Sequence, residues 1–157
     1  MILQGGWTKM KILLMEDDPV LSDILLDFLS ESFDIDYAFN ADEVYKQMES
    51  NKYDIFIFDI NVAGKTGLEL LAELREFNDT TPTIIITAYT DTQYLKKAFE
   101  LGAHDYIKKP FELEELQARI QNTQKIYNIE SEKNIEIRES IVFAPGLREI
   151  KNNDKTT

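Results

Sequence analysis

Three short runs of this chain, Ile12–Met15, Ile55–Phe58 and Thr83–Ile86, are almost wholly apolar and rich in β-branched or aromatic residues. A strand with one wet face alternates apolar and polar residues, whereas an unbroken run needs cover on both faces. Parallel strands layered between helices meet that need. Ile35, Tyr37 and Phe39 do alternate, which suits an edge strand, and the mixed segment His104–Lys108 reads as the opposite edge. Amphipathic stretches separate the runs. Asp18-Pro19 offers a cap and a first-turn proline, and Val20, Leu21, Ile24, Leu25, Phe28 and Leu29 follow at helical spacing. Asn40 with Glu43 resembles a capping box, while Leu68, Leu71 and Leu74 mark a third helix. Leu95, Ala98, Phe99 and Leu101 mark a fourth helix stopped by Gly102, and Leu113, Leu116 and Ile120 begin a fifth that runs to about residue 128. Five strands alternating with five helices predict an α/β fold, a doubly wound five-stranded parallel sheet with right-handed crossovers.

The domain is expected over residues 10–128, with 1–9 as an extension, because Met10-Lys11-Ile12-Leu13-Leu14 reads as a natural start. Residues 129–157 change character. Ile135, Ile137, Ile141 and Phe143 are strand-like, Ala144-Pro145-Gly146 marks a turn, and the segment is too short to bury its own core. No apolar run reaches the roughly 18 residues of a membrane span, the first nine residues lack a signal-peptide core, and cysteine is absent from the sequence. No membrane partner is expected, and a cytoplasmic location is the simplest reading. A net charge of −12 opposes unaided binding to nucleic acid.

Ligands of open parallel sheets bind outside the carboxyl ends of the strands. Those ends carry Glu16-Asp17-Asp18, Asp59, Thr87-Ala88 and Lys109-Pro110. Packed carboxylates either raise their pKa values or recruit a cation, and oxygen ligands without His or Cys suit Mg²⁺. Such a metal screens an incoming phosphoryl group for attack by a carboxylate; Lys109 adds an opposing charge and Thr87 a hydroxyl donor. Taken singly, Asp17 and Asp18 suit caps of the first helix, Thr87 an ordinary strand end and Lys109 a surface lysine. Asp59 is harder to set aside, because it ends the most apolar strand and an unpaired carboxylate there needs a partner. It is the coincidence of all five at one rim that points to chemistry.

Ile12–Pro19 (ILLMEDDP), Tyr53–Asn61 (YDIFIFDIN), Gly64–Leu71 (GKTGLELL), Thr83–Ala88 (TIIITA) and Gly102–Phe111 (GAHDYIKKPF) resemble, in order and spacing, the receiver domains of two-component response regulators. The resemblance covers about Lys9 to Ile126. It implies a flavodoxin-like strand order, 2-1-3-4-5, with Asp59 as phosphoacceptor for a sensor histidine kinase. Glu16 and Asp17 resemble the acidic pair, Asp17 as a direct Mg²⁺ ligand and Glu16 through water, and the Asn61 carbonyl resembles the third protein ligand. Thr87, Tyr106 and Lys109 resemble the switch hydroxyl, the switch aromatic and the phosphate-pairing lysine. The Lys109-Pro110 peptide is expected cis, and Ala63 departs from a common proline. Tyr89 and Asn61 are expected to flank the path of the hydrolysing water. No enzymatic activity is implied beyond the domain's own phosphorylation and dephosphorylation.

The run from Lys109 to Ile120 further resembles receivers of the OmpR/PhoB type, which carry a winged-helix DNA-binding domain. Asp105 and Arg119 match a pair that bridges the dimer of that subfamily, with Glu115 on the same face. His104 and Leu95 depart from it, and Glu115 with Arg119 also reads as an i, i+4 pair on a wet helix face. The resemblance implies a homodimer on phosphorylation. The tail resembles the opening strands of the effector domain and contains no recognition helix, so this fragment is not expected to read DNA, although a longer parent could. Other classes fit less well. An Asp-nucleophile phosphatase commonly needs a second Asp where Asn61 stands, and a nucleotide- or flavin-binding domain needs a glycine-rich phosphate loop where Glu16-Asp17-Asp18 stands. A metal-independent interaction module would have no use for the five rim residues. A histidine kinase role would rest on His104, the single histidine, on an edge strand.

Overall fold

The computed structural model describes residues 9–88 and 92–127. The chain divides into two units, Met1–Ile120 and Gln121–Thr157. The second is described over residues 121–127, which are helical. Residues 1–8 of the expected extension, the expected boundary after residue 128, the strand-like tail and Tyr89 lie outside the described residues.

Strands β1 (Lys11–Met15), β2 (Asp34–Ala38), β3 (Ile55–Asp59), β4 (Thr83–Thr87) and β5 (Asp105–Lys108) alternate with helices α1 (Pro19–Leu29), α2 (Ala41–Ser50), α3 (Gly67–Glu76) and α4 (Thr92–Glu100). A fifth helix, α5, covers residues 113–127. The strands form one sheet in the order β2-β1-β3-β4-β5, every neighbouring pair parallel. This is the expected doubly wound topology.

The unbroken apolar runs are explained by two buried layers. Leu13, Met15, Phe56, Phe58 and Ile85 face one way, onto Val44 of α2, Leu70, Leu71 and Leu74 of α3 and Ala98 of α4. Ile12, Leu14, Ile55, Ile57, Ile84 and Ile86 face the other way, onto Leu25 and Leu29 of α1 and Leu116 and Ile120 of α5. Alternate side chains thus enter different cores, and both need to be apolar.

Helix starts follow local capping chemistry. Asp18 Oδ1 accepts from the N–H groups of Val20 and Leu21, with Pro19 in the first turn. Asn40 accepts from Glu43 N–H, but the Glu43 carboxylate returns to Phe39 N–H, one residue before the cap. A reciprocal box forms instead at α3, between Thr66 and Glu69.

The helical stripes read from periodicity are wider than the faces the fold buries. Val20 is 67 % and Ile24 46 % exposed, so α1 buries Leu25 and Leu29 with Ser22. On α4 only Ala98 is buried, while Leu95 and Phe99 face water. Phe39 falls beyond β2, in the turn to α2, and is also exposed.

Candidate functional site: the acidic rim

Parallel register carries the carboxyl ends of β1, β3, β4 and β5 to one rim. Met15 pairs with Phe58, Asp59 with Ile86, and Thr87 with Lys108. Backbone bonds extend the sheet past the strand ends, from Glu16 N–H to Ala38, Ile60 N–H to Ile86 and Lys109 N–H to Thr87. Glu16, Asp59, Thr87 and Lys109 are therefore fixed by the ladder itself.

Asp59 is 1 % exposed, and both its oxygens are engaged. Oδ1 accepts from Asn61 N–H at 2.9 Å, and Oδ2 accepts from Lys109 Nζ at 2.6 Å. Lys109 Nζ also lies 3.1 Å from Oε1 of Glu16, whose residue is fully buried. Glu16 Oε2 accepts from Asp18 N–H at 3.0 Å, whereas Oε1 has the ion pair but no well-angled hydrogen bond. Two buried carboxylates thus share one ammonium, which leaves an excess of negative charge in a low-dielectric place. Burial pushes the Glu16 carboxyl up to about 7, against the pull of Asp18 N–H and with a further push from neighbouring Asp59. Burial alone would lower the Lys109 ammonium, but Asp59 and Glu16 together hold it above its ordinary value.

The adjacent acids divide their work. Asp18 is the cap of α1. Asp17 is exposed and turns across the rim, where its Oδ2 accepts from Ala63 N–H at 3.1 Å. Thr87 is fully buried at the end of β4, and Tyr106 is buried in the same cluster as Ala98 and Ala103. The Lys109-Pro110 peptide is cis, as expected.

Among the described residues, no three acidic, His or Cys side chains converge into a ready metal cage. Lys109 stands between Glu16 and Asp59, and Asp17 reaches the rim from the side. The donor chemistry nevertheless fits Mg²⁺, a cation that retains several waters and needs one or two carboxylates. Asp17 has an exposed carboxylate, and Glu16 Oε1 is a buried acceptor without a full partner.

The proposed dimer residues are close together within one chain. Arg119 Nη1 lies 2.9 Å from Oδ1 and 3.1 Å from Oδ2 of Asp105, and Arg119 Nη2 lies 3.3 Å from Oε2 of Glu115.

Reasoning from side-chain types overlooked the backbone N–H of Ala63, which carries no sequence signature. It also overlooked Lys65, Glu73 and Tyr45, which meet behind the same loop. The one available signal, the capping-box spacing Thr66-x-x-Glu69 at the end of that loop, went unread.

Fold and rim together place the molecule in the CheY-like class of α/β domains. The family model described as the response regulator receiver domain matches residues 12–121, and the chain belongs to that family. The family generally binds Mg²⁺ at its acidic pocket. The transcriptional regulatory protein CrdR of Helicobacter pylori is 38 % identical over 142 residues, covering 89 % of this chain and 67 % of its own. CiaR of Streptococcus pneumoniae, also a transcriptional regulatory protein, is 45 % identical over 111 residues, covering 71 % and 50 %. The chain spans half to two-thirds of the length of such relatives, which are of the OmpR/PhoB type. Among solved structures, the receiver domain of the Francisella response regulator 1452 has a TM-score of 0.71 at 30 % identity, covering 74 % of this chain and 98 % of its own. A two-component response regulator from Clostridium difficile has 0.72 at 30 %, covering 76 % and 99 %.

Proposed function

We propose that Asp59 accepts a phosphoryl group from a sensor histidine kinase, in a Mg²⁺-dependent reaction that switches the α4–β5–α5 face. The observation that carries this reading is the 2.6 Å contact of Lys109 with a buried Asp59 that shares its ammonium with a second buried carboxylate. Asp17, Asp59, the carbonyl of Asn61 and, through water, Glu16 would hold the metal. When bound, Mg²⁺ supplies positive charge that screens the phosphoryl oxygens from the surrounding acids.

An Asp59 carboxylate oxygen forms the new bond to phosphorus as the P–N bond of a phosphohistidine breaks. The electron pair stays on the departing imidazole nitrogen, which takes a proton. Asn61 N–H keeps Asp59 oriented, and Lys109 neutralises an oxygen of the new acyl phosphate. The acyl phosphate carries about −1.5 to −2 charges where the Asp59 carboxylate carried one, so a buried corner gains roughly one negative charge and two further acceptor oxygens. Thr87 moves its hydroxyl toward that charge, and the vacated space enlarges the seat in which Tyr106 is already buried. The group does not create the switched state; it shifts a population toward it. A two-fold dimer through α4, β5 and α5 follows, and in a longer protein this controls transcription.

The test is incubation with acetyl phosphate and Mg²⁺, then mass measurement of intact protein. The wild type gains one phosphoryl mass, while Asp59→Asn and wild type in excess chelator gain none. Stoichiometric labelling of Asp59→Asn would refute the assignment.

A further inference from the structure

The loop between β3 and α3 is tied down at two points two residues apart. Near the rim, Ala63 N–H bonds Asp17 Oδ2 at 3.1 Å. Two residues on, Lys65 Nζ lies 2.6 Å from Glu73 Oε1 and 5.8 Å from the centre of the Tyr45 ring. Tyr45 donates its hydroxyl to the same Glu73 oxygen. Lys65, first, and Tyr45 hold the Glu73 carboxyl below its usual range, so the anchor stays ionised at neutral pH. Between the two ties, Gly64 turns the chain at φ +84°, a conformation that costs glycine little. Short spacing and a sharp bend leave the loop little slack, so the position of Lys65 constrains where the Ala63 N–H points.

That N–H has a consequence at the rim. Asp17 is exposed, and its carboxylate would otherwise sample several rotamers. A hydrogen bond to one oxygen fixes the group and leaves the other free for a cation, as outer partners do for metal-binding carboxylates.

We infer that Lys65, anchored on Glu73 and Tyr45, is a positioning residue that holds the β3–α3 loop so that Ala63 orients Asp17 for Mg²⁺. This rests on the Mg²⁺-dependent reading above. The loop tether sets affinity for the metal, not the chemistry at Asp59.

Calorimetric titration of the whole chain with MgCl₂ tests it on wild type, Lys65→Met, Ala63→Pro, which lacks the N–H, and the double variant. Each single change should raise Kd roughly tenfold, the low end of what outer partners contribute. The double variant should be little worse than the worse single one, because both act through one loop. Phosphorylation by acetyl phosphate at saturating Mg²⁺ should stay near wild type for Lys65→Met. Glu73→Gln keeps an acceptor for Tyr45 but removes the charge facing Lys65, and supplies a second variant should Ala63→Pro fail to fold. A Lys65→Met Kd equal to wild type, or additive effects in the double variant, would overturn the inference. Absence of saturable Mg²⁺ binding by wild type, or wild-type binding by Asp17→Asn, would instead overturn the reading on which it rests.

Discussion

Arg119 grips Asp105 of its own chain with one guanidinium nitrogen, 2.9 and 3.1 Å from the two carboxylate oxygens, joining α5 to β5. Arg119 is 38 % exposed, Asp105 20 % and Glu115, a further partner, 45 %, so the pairs are open to water on at least one side. Exposed pairs contribute about 0–1 kcal/mol, so these bonds exchange for bonds to a second copy at small cost. In a two-fold dimer each Asp105 meets its partner's Arg119, and the exposed Leu95 and Phe99 of α4 add apolar contact. Phosphorylated wild type should sediment as a dimer at high concentration, and phosphorylated Arg119→Glu as a monomer. A phosphorylated wild type that stays monomeric would remove the dimer and leave the rim chemistry untouched.

Glu16 predicts a pH dependence of stability in the metal-free protein. Its folded pKa, about 7, lies above the ordinary 4.5, so the folded state holds the proton more tightly than the unfolded chain. The stabilising contribution is full below about 4.5 and is lost as pH rises to about 7, at most on the order of 3 kcal/mol. Urea unfolding in chelator should show falling stability across that window, and Glu16→Gln should lack that part of the slope. Added Mg²⁺ should reverse the loss at neutral pH, because it favours the ionised form.

Thr87→Ala separates acceptance from response. The hydroxyl is fully buried at the end of β4 and is not part of the Lys109–Asp59–Glu16 charge cluster. The variant should gain a full phosphoryl mass from acetyl phosphate yet show weakened amide-shift changes over α4 and α5. A full response in those spectra would refute the coupling through Thr87.

Gly67 is a packing requirement of the site. A Cβ there would sit 2.5 Å from the carbonyl oxygen of Asp59 and 3.2 Å from Ile60 Cα, both backbone. Neither atom can yield without moving the end of β3. Gly67→Ala should therefore lower stability by about 1–3 kcal/mol in urea unfolding and slow phosphorylation of Asp59. Wild-type values for both would mean that α3 tilts away freely.

Local pattern was enough to determine the sheet and the identity of the rim. Unbroken apolar runs at Ile12–Met15, Ile55–Phe58 and Thr83–Ile86 require two covered faces, and chain direction then puts Glu16, Asp59, Thr87 and Lys109 at one edge. Periodicity overstated the buried faces of α1 and α4, since spacing gives the direction of a side chain but not whether anything lies opposite it. The cap by Asp18 is local and was legible, but how Glu16 and Asp17 divide their work was beyond it: one pairs with Lys109 and the other crosses to Ala63. Those roles depend on contacts between residues far apart in the chain, 46 positions for Asp17 and Ala63 and 50 for Asp59 and Lys109. Tertiary structure alone sets such distances, and with them which carboxylate is buried, which is neutralised and which is left to meet a cation.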